Sequence, residues 1–181
     1  QALLDFSSSA VKDASNTAVV DDLKKLLLAA KPKIVYTHNL ADKHDTHVAV
    51  VLRTLSAIRS LPKDARPEKL YSCEVWRNLD WTIDEDKVAF DVGAHENLAA
   101  ALLGVFDSQI CGGKRYDLAA LGRRRANATF FASHGVDEAQ GLIFGIDLTP
   151  LIVDDSICPL DYIRGYIDRF AAEVIDRLKK M

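Results

Sequence analysis

The chain reads as an α/β protein built on a mostly parallel sheet. Two observations predict this class. Short apolar runs alternate with longer stretches whose apolar residues recur every three or four positions, in the order strand, helix, strand, helix. Prolines and paired glycines fall between these stretches and leave their interiors clear. With 181 residues there is enough chain for one domain with a sizeable core, residues 1–181 being read as a single unit.

The first element is the strand-like run Ala2-Leu3-Leu4-Asp5-Phe6. Ser15 or Asn16 then caps a helix from about Thr17 to Ala30, with Val19, Leu23, Leu26, Leu27 and Ala30 on one face. Lys31-Pro32 ends it, because proline cannot continue a helix. Ile34-Val35-Tyr36 forms a short strand. Asp42 is the expected N-cap of the next helix, whose stripe is Val48, Val51, Leu52, Leu55 and Ile58, with Pro62 as its stop. Leu70–Trp76 and Lys87–Val92 read as strands around a turn-rich stretch. A helix from Glu96 to Gln109 should turn Leu98, Ala101, Leu102 and Val105 inward. Gly112-Gly113 precedes a helix from Asp117 to Ala132, then come a strand over 141–146 and a helix from Leu160 to Leu178.

Composition excludes several classes. A net charge of −3 and a pI near 5.9 give no electrostatic footprint for nucleic acid. No apolar run approaches the ~18 residues that cross a bilayer, so no membrane span is expected. Three scattered cysteines, Cys73, Cys111 and Cys158, form no metal-binding pair and suit reduced thiols in a cytoplasmic protein.

Chemistry concentrates in Asp42-Lys43-His44-Asp45-Thr46-His47. His44, His47, Val48 and Val51 fall on one helical stripe, so the face that goes inward as valine begins as two imidazoles. That places them outside the carboxyl end of the preceding strand, where open α/β sheets bind ligands. Paired histidines there suit a metal or proton-transfer site, with Tyr36, Thr37, His38 and Asp42 framing the loop. They equally suit a hydrogen-bonded structural pair, and two ligands are fewer than the three of a catalytic zinc. His95 and His134 stand alone. Glu74, Trp76 and Trp81 could wall a sugar, although a tryptophan at a strand edge more often packs in a core. The Arg123-Arg124-Arg125 run reads as a solvated face.

Lys31-Pro32-Lys33-Ile34-Val35-Tyr36-Thr37-His38 followed by Asp42–His47 resembles the second motif of the LmbE/PIG-L family of metal-dependent N-deacetylases. Its pattern is a proline, an apolar strand and Thr-His, leading into Asp-x-His-Pro-Asp-His. Ser108-Gln109 resembles a later Ser-Gln element, and Val136-Asp137-Glu138-Ala139 is more loosely similar to an Ala-Glu stretch. The resemblance implies a Rossmann-like fold with helices on both faces of the sheet. It implies zinc as cofactor, with His47 as a ligand and His44 stabilising the tetrahedral intermediate. The substrate would be an N-acetylated small molecule of the N-acetylglucosamine type, or a related non-sugar amide. Asp42 would cap or shape the loop, and Thr46 stands where the family has an aspartate. The family's other two zinc ligands and its general base lie in a His-Pro-Asp-Asp motif that these 181 residues lack. With the opening at Gln1 rather than methionine, the expectation is an N-terminally truncated portion of a deacetylase that binds zinc poorly and turns over little alone. A partial sheet with a free edge would favour a homo-oligomer. The competing reading is a non-catalytic α/β binding or scaffold domain with structural histidines.

Overall fold

A computed structural model describes residues 2–131 and 134–181. Gln1, where the chain opens, and Ala132, where the helix expected from Asp117 should end, lie outside the described residues. The elements run α1 (Ser8–Lys12), α2 (Ala18–Ala30), β1 (Ile34–His38), α3 (Asp45–Arg59), β2 (Lys69–Cys73), β3 (Val88–Asp91), α4 (Glu96–Gly104), α5 (Tyr116–Phe131), β4 (Leu142–Asp147), α6 (Thr149–Val153) and α7 (Pro159–Lys179). The class is α/β, and the four strands lie in the order β1-β2-β4-β3.

The sheet is mixed, a correction to the mostly parallel expectation. β1 and β2 pair in parallel, with His38 opposite Cys73, whereas β4 runs antiparallel to β2, with Gly145 opposite Cys73 and Asp147 opposite Tyr71. A parallel neighbour requires the chain to return to the starting end of the sheet. Here β4 begins beside the carboxyl end of β2, so it can only run back. Residues 2–6 form no strand; Phe6 N–H turns back to the Leu4 carbonyl at 2.9 Å, and α1 follows in place of a ladder.

Two compact units are distinguished: residues 1–87 with 145–181, and residues 88–144. In the first, α3 packs against β1, α1, α2 and α6. Val51, Leu55, Ala57 and Ile58 supply its buried face, meeting a core that includes Leu70, Ile146, Leu148, Leu151 and Ile152. Each of these valine, leucine and isoleucine side chains contributes about 1.5–3 kcal/mol on burial. Leu52, expected on this face, is 41% exposed, so the stripe turns toward Thr54 instead. α2 ends as read from Lys31-Pro32: Lys31 adopts φ 45° and its N–H returns to the Leu27 carbonyl. β2 stops at Cys73, three residues short of expectation, and Glu74 to Trp76 leave the ladder.

In the second unit, α4 ends at Gly104 and Asp107–Gln109 form a separate 3-10 turn. Leu98, Leu102 and Val105, expected inward, are exposed. Arg125 forks onto Glu96 at 3.1 and 2.8 Å, which accounts for one member of the arginine run. Among the described residues no helix is long and apolar enough to cross a membrane.

Candidate metal centre

β1 ends at His38, and residues 39–44 form a tight loop into α3. Asn39, fully buried, organises it: its side-chain oxygen accepts the Ala41 N–H at 2.7 Å and its amide donates to Ser72 Oγ at 3.2 Å. Asp42 follows, its side chain 2% exposed. One carboxylate oxygen, Oδ1, accepts the His44 backbone N–H at 2.9 Å and meets His47 Nδ1 at 3.0 Å. Asp42 therefore closes an Asx turn two residues before the helix. It is not the N-cap; His44 holds that position, with extended backbone and no side-chain capping bond.

This corrects the expected stripe. His47 sits in the first turn of α3, whereas His44 lies outside the helix and its side chain is exposed. Its ring stands edge-on to Trp76, with centroids 4.7 Å apart, and 5.1 Å from His47. The Thr46 hydroxyl shares a 2.6 Å hydrogen bond with the Ser8 hydroxyl and ties α1 to the start of α3.

The third imidazole is His38. Its ring stacks on His47 with centroids 4.0 Å apart and planes within 5°. His38, expected only to frame the loop, instead brings an imidazole nitrogen to the cluster. His38, Asp42 and His47 each offer a ligand atom, and these atoms all lie within 4.8 Å of one another. Two imidazoles and a carboxylate are a donor set that suits zinc and several other divalent metals. Burial is the main cause holding the His38 pKa below its usual value, aided by the neighbouring His47 and opposed by Asp42. A neutral imidazole keeps a lone pair for a metal. Cys73, opposite His38 in the sheet, is a different case: burial pushes its thiol up to about 11, so it stays protonated.

The loop after β2 completes the surroundings. Arg77 donates to the Ala41 carbonyl at 2.7 Å, and the Lys43 ammonium lies 5.9 Å from the centre of the Trp76 ring. Glu74 is 5% exposed, and its Oε2 accepts the Trp81 indole N–H at 3.0 Å. Its other oxygen, Oε1, is buried without a partner; Thr37 Oγ1 is likewise unpartnered. Burial, with Asp42 adding to it, raises the Glu74 pKa against the Trp81 bond that lowers it. On the other side a cleft lined by Leu23, Leu27, Val35, Val50 and Val75 reaches Thr37 and His38.

His95 and His134 are exposed residues of the second unit, as are Ser108 and Gln109. Asp137 accepts the Thr129 hydroxyl at 2.8 Å in that unit. Asp155 is no metal ligand candidate either, being held by Arg66 at 2.6 Å and Lys63 at 3.1 Å. His38 was detectable in the sequence as the histidine closing the strand; Asn39 carried no comparable signal, since its role depends on the pairing of β1 with β2. No protein-family model, curated protein or solved structure matches the chain.

Proposed function

We propose that this chain carries the metal-binding part of a zinc-dependent N-deacetylase of the LmbE/PIG-L type, with a Rossmann-like arrangement around it. The substrate would be an N-acetylglucosamine-type or related small molecule. The observation that carries this reading is the convergence of His38, Asp42 and His47 at the carboxyl end of β1. The resemblance over Lys31–His38 and Asp42–His47 supplies the reaction class.

His47 is the proposed ligand that the resemblance also names, His38 is the donor that the chain itself offers beside it, and Asp42 is the partner that orients His47. A divalent metal bound there would supply the Lewis acidity that activates water for attack on an amide. Asp42 fixes the His47 ring through Nδ1, which leaves Nε2 with its lone pair. His44, exposed beside His47 and edge-on to Trp76, is the proposed hydrogen-bond donor to the oxyanion of an attacked amide. The cleft beside His38 offers an apolar wall that limits water around the reacting group.

Zinc titration of the purified chain against a chromophoric chelator tests the centre. Because His38 adds a donor that the resemblance did not name, one equivalent should bind in place of the poor binding expected from His47 alone, and His47→Ala and His38→Ala should each abolish it. Zinc binding that is absent, or indifferent to both substitutions, removes this reading and leaves the scaffold alternative, in which the Asp42–His47 bond is purely structural. Release of acetate from N-acetylglucosamine derivatives tests the chemistry. His44→Ala should lower that rate at unchanged zinc occupancy.

A further inference from the structure

Leu23, Leu26, Leu27 and Ala30 recur every three or four residues along α2 and form one apolar stripe. α2 lies on α3, and β1 is the outer strand of the sheet among the described residues. Between that stripe, β1 and α3 lies an open cleft of about 580 Å³, within the ~300–1,000 Å³ of ligand pockets. Val35, Val50 and Val75 line its other sides, and Leu26, Tyr36 and Val75 are exposed to solvent there. Among the described residues no lysine, arginine, aspartate or glutamate lines it. Its hydroxyl and thiol groups add little polarity. Thr54 Oγ1 donates to the Val50 carbonyl at 2.9 Å, Thr37 Oγ1 is buried beneath the surface, and burial keeps the Cys73 thiol protonated. A polyhydroxylated ring would lose its water here without replacement, whereas an alkyl chain gains by leaving water. His38 belongs both to this lining and to the cluster with Asp42 and His47. A group held at the metal centre therefore has the cleft directly beside it.

We propose that this cleft is a subsite for an unbranched alkyl chain of the substrate, with His38 marking the end at which the amide sits. The inference rests on the proposed deacetylase reading for the amide, and it narrows the substrate class to amides that carry a lipid-like chain. That chain is either the acyl group or an alkyl group on the amine side; both present the same methylenes to Leu26, Leu27, Val35 and Val50. No bond is made or broken in the cleft.

Three probes share the sugar amide and differ in the chain: N-octanoylglucosamine, octyl N-acetylglucosaminide and N-acetylglucosamine. Calorimetric titrations of the full chain, below micellar concentrations and with and without zinc, measure the affinity for each. At least one octyl compound should bind about tenfold or more tightly than N-acetylglucosamine, since several methylenes leave water. The tighter of the two shows whether the chain belongs to the acyl or the amine side. Leu26→Glu and Val75→Asp each set a charge in the cleft at an exposed position that the fold tolerates, and each should cut the preference to about twofold or less. Equal affinity of the wild-type chain for all three probes overturns the inference without needing any variant to fold. A preference that survives both substitutions in chains with wild-type circular dichroism overturns it too. Dimerisation that Leu26→Glu abolishes, with no octyl preference, overturns it and gives the cleft to a second copy. Zinc binding is read on the same samples. If the octyl preference depends on Leu26 and Val75 but zinc does not bind, the subsite stands and the metal reading falls. If zinc binds and no preference exists, the subsite alone falls.

Discussion

Asp42 Oδ1 lies 3.0 Å from His47 Nδ1, with the carboxylate almost wholly out of solvent. An ionised carboxylate can only accept, so the hydrogen bond is made with the proton on Nδ1. Asp42→Asn retains an oxygen for the His44 N–H but no longer dictates the His47 tautomer. Zinc affinity should fall by about 10–100-fold, the usual cost of losing the partner that orients a ligating histidine. A chelator competition titration measures it, and an unchanged affinity would show that the ring is held by its stacking on His38.

Acid should loosen the fold through His38. Its pKa is held down in the folded state, mainly by burial, so the unfolded chain binds the proton more readily. Stability from this group is therefore fully present above the unfolded histidine value, about 6.5. It is lost as pH falls through that value toward the lower folded one. Urea denaturation of metal-free protein at pH 7.5 and pH 5.5 should show a drop in stability that His38→Gln makes smaller. An identical drop in His38→Gln would assign the acid sensitivity elsewhere.

Asn39 is the residue on which the loop geometry depends. Asn39→Ala leaves the Ala41 N–H and Ser72 Oγ without their partner in a fully buried setting. A loss of about 1–3 kcal/mol is expected from chemical denaturation. Zinc binding should weaken in parallel, because Asp42 follows three residues later. Asn39→Asp does not rescue it, since Ser72 then loses its amide donor and a charge is buried.

Arg66 fastens the end of α3 to the segment after α6. Its guanidinium, 6% exposed, donates to the Arg59 and Ile152 carbonyls at 2.6 and 2.7 Å while gripping Asp155. Arg66→Met should destabilise the first unit by about 1.5–3 kcal/mol. Arg66→Lys should recover little, because an ammonium cannot reproduce the fork. Neither change should alter zinc binding once the protein is folded, a separation that denaturation and titration on the same preparations will show.

Much of the first unit was legible because its signals are local. The Val51–Leu55–Ile58 spacing, Lys31-Pro32 and the apolar run 34–36 each state their structure within a few residues. The direction of β4 was not legible. It depends on which end of the sheet the chain has reached after residue 141, and no short window records that. The opening run 2–6 has strand-like composition but no ladder to join, and pairing decides strands more than propensity does. α4 misled for a related reason: its leucines repeat at helical spacing, yet nothing in its own sequence says which face meets a neighbour. At the site, Asp42 and His47 were visible because they lie five residues apart. Their joint use of one oxygen was not, since the Asx turn displaces the N-cap to His44.

The pairing of His38 with Cys73 has one more consequence. Side chains alternate along a strand, so a slip of one residue between β1 and β2 would exchange the neighbours of every group at that end. Ser72 would move away from Asn39, and Glu74 would lose its place beside Asp42. Misaligned chains would therefore lack both the donor cluster and its adjoining carboxylate. Zinc uptake then doubles as an assay of strand alignment, reporting how many molecules in a refolded sample have closed the sheet correctly.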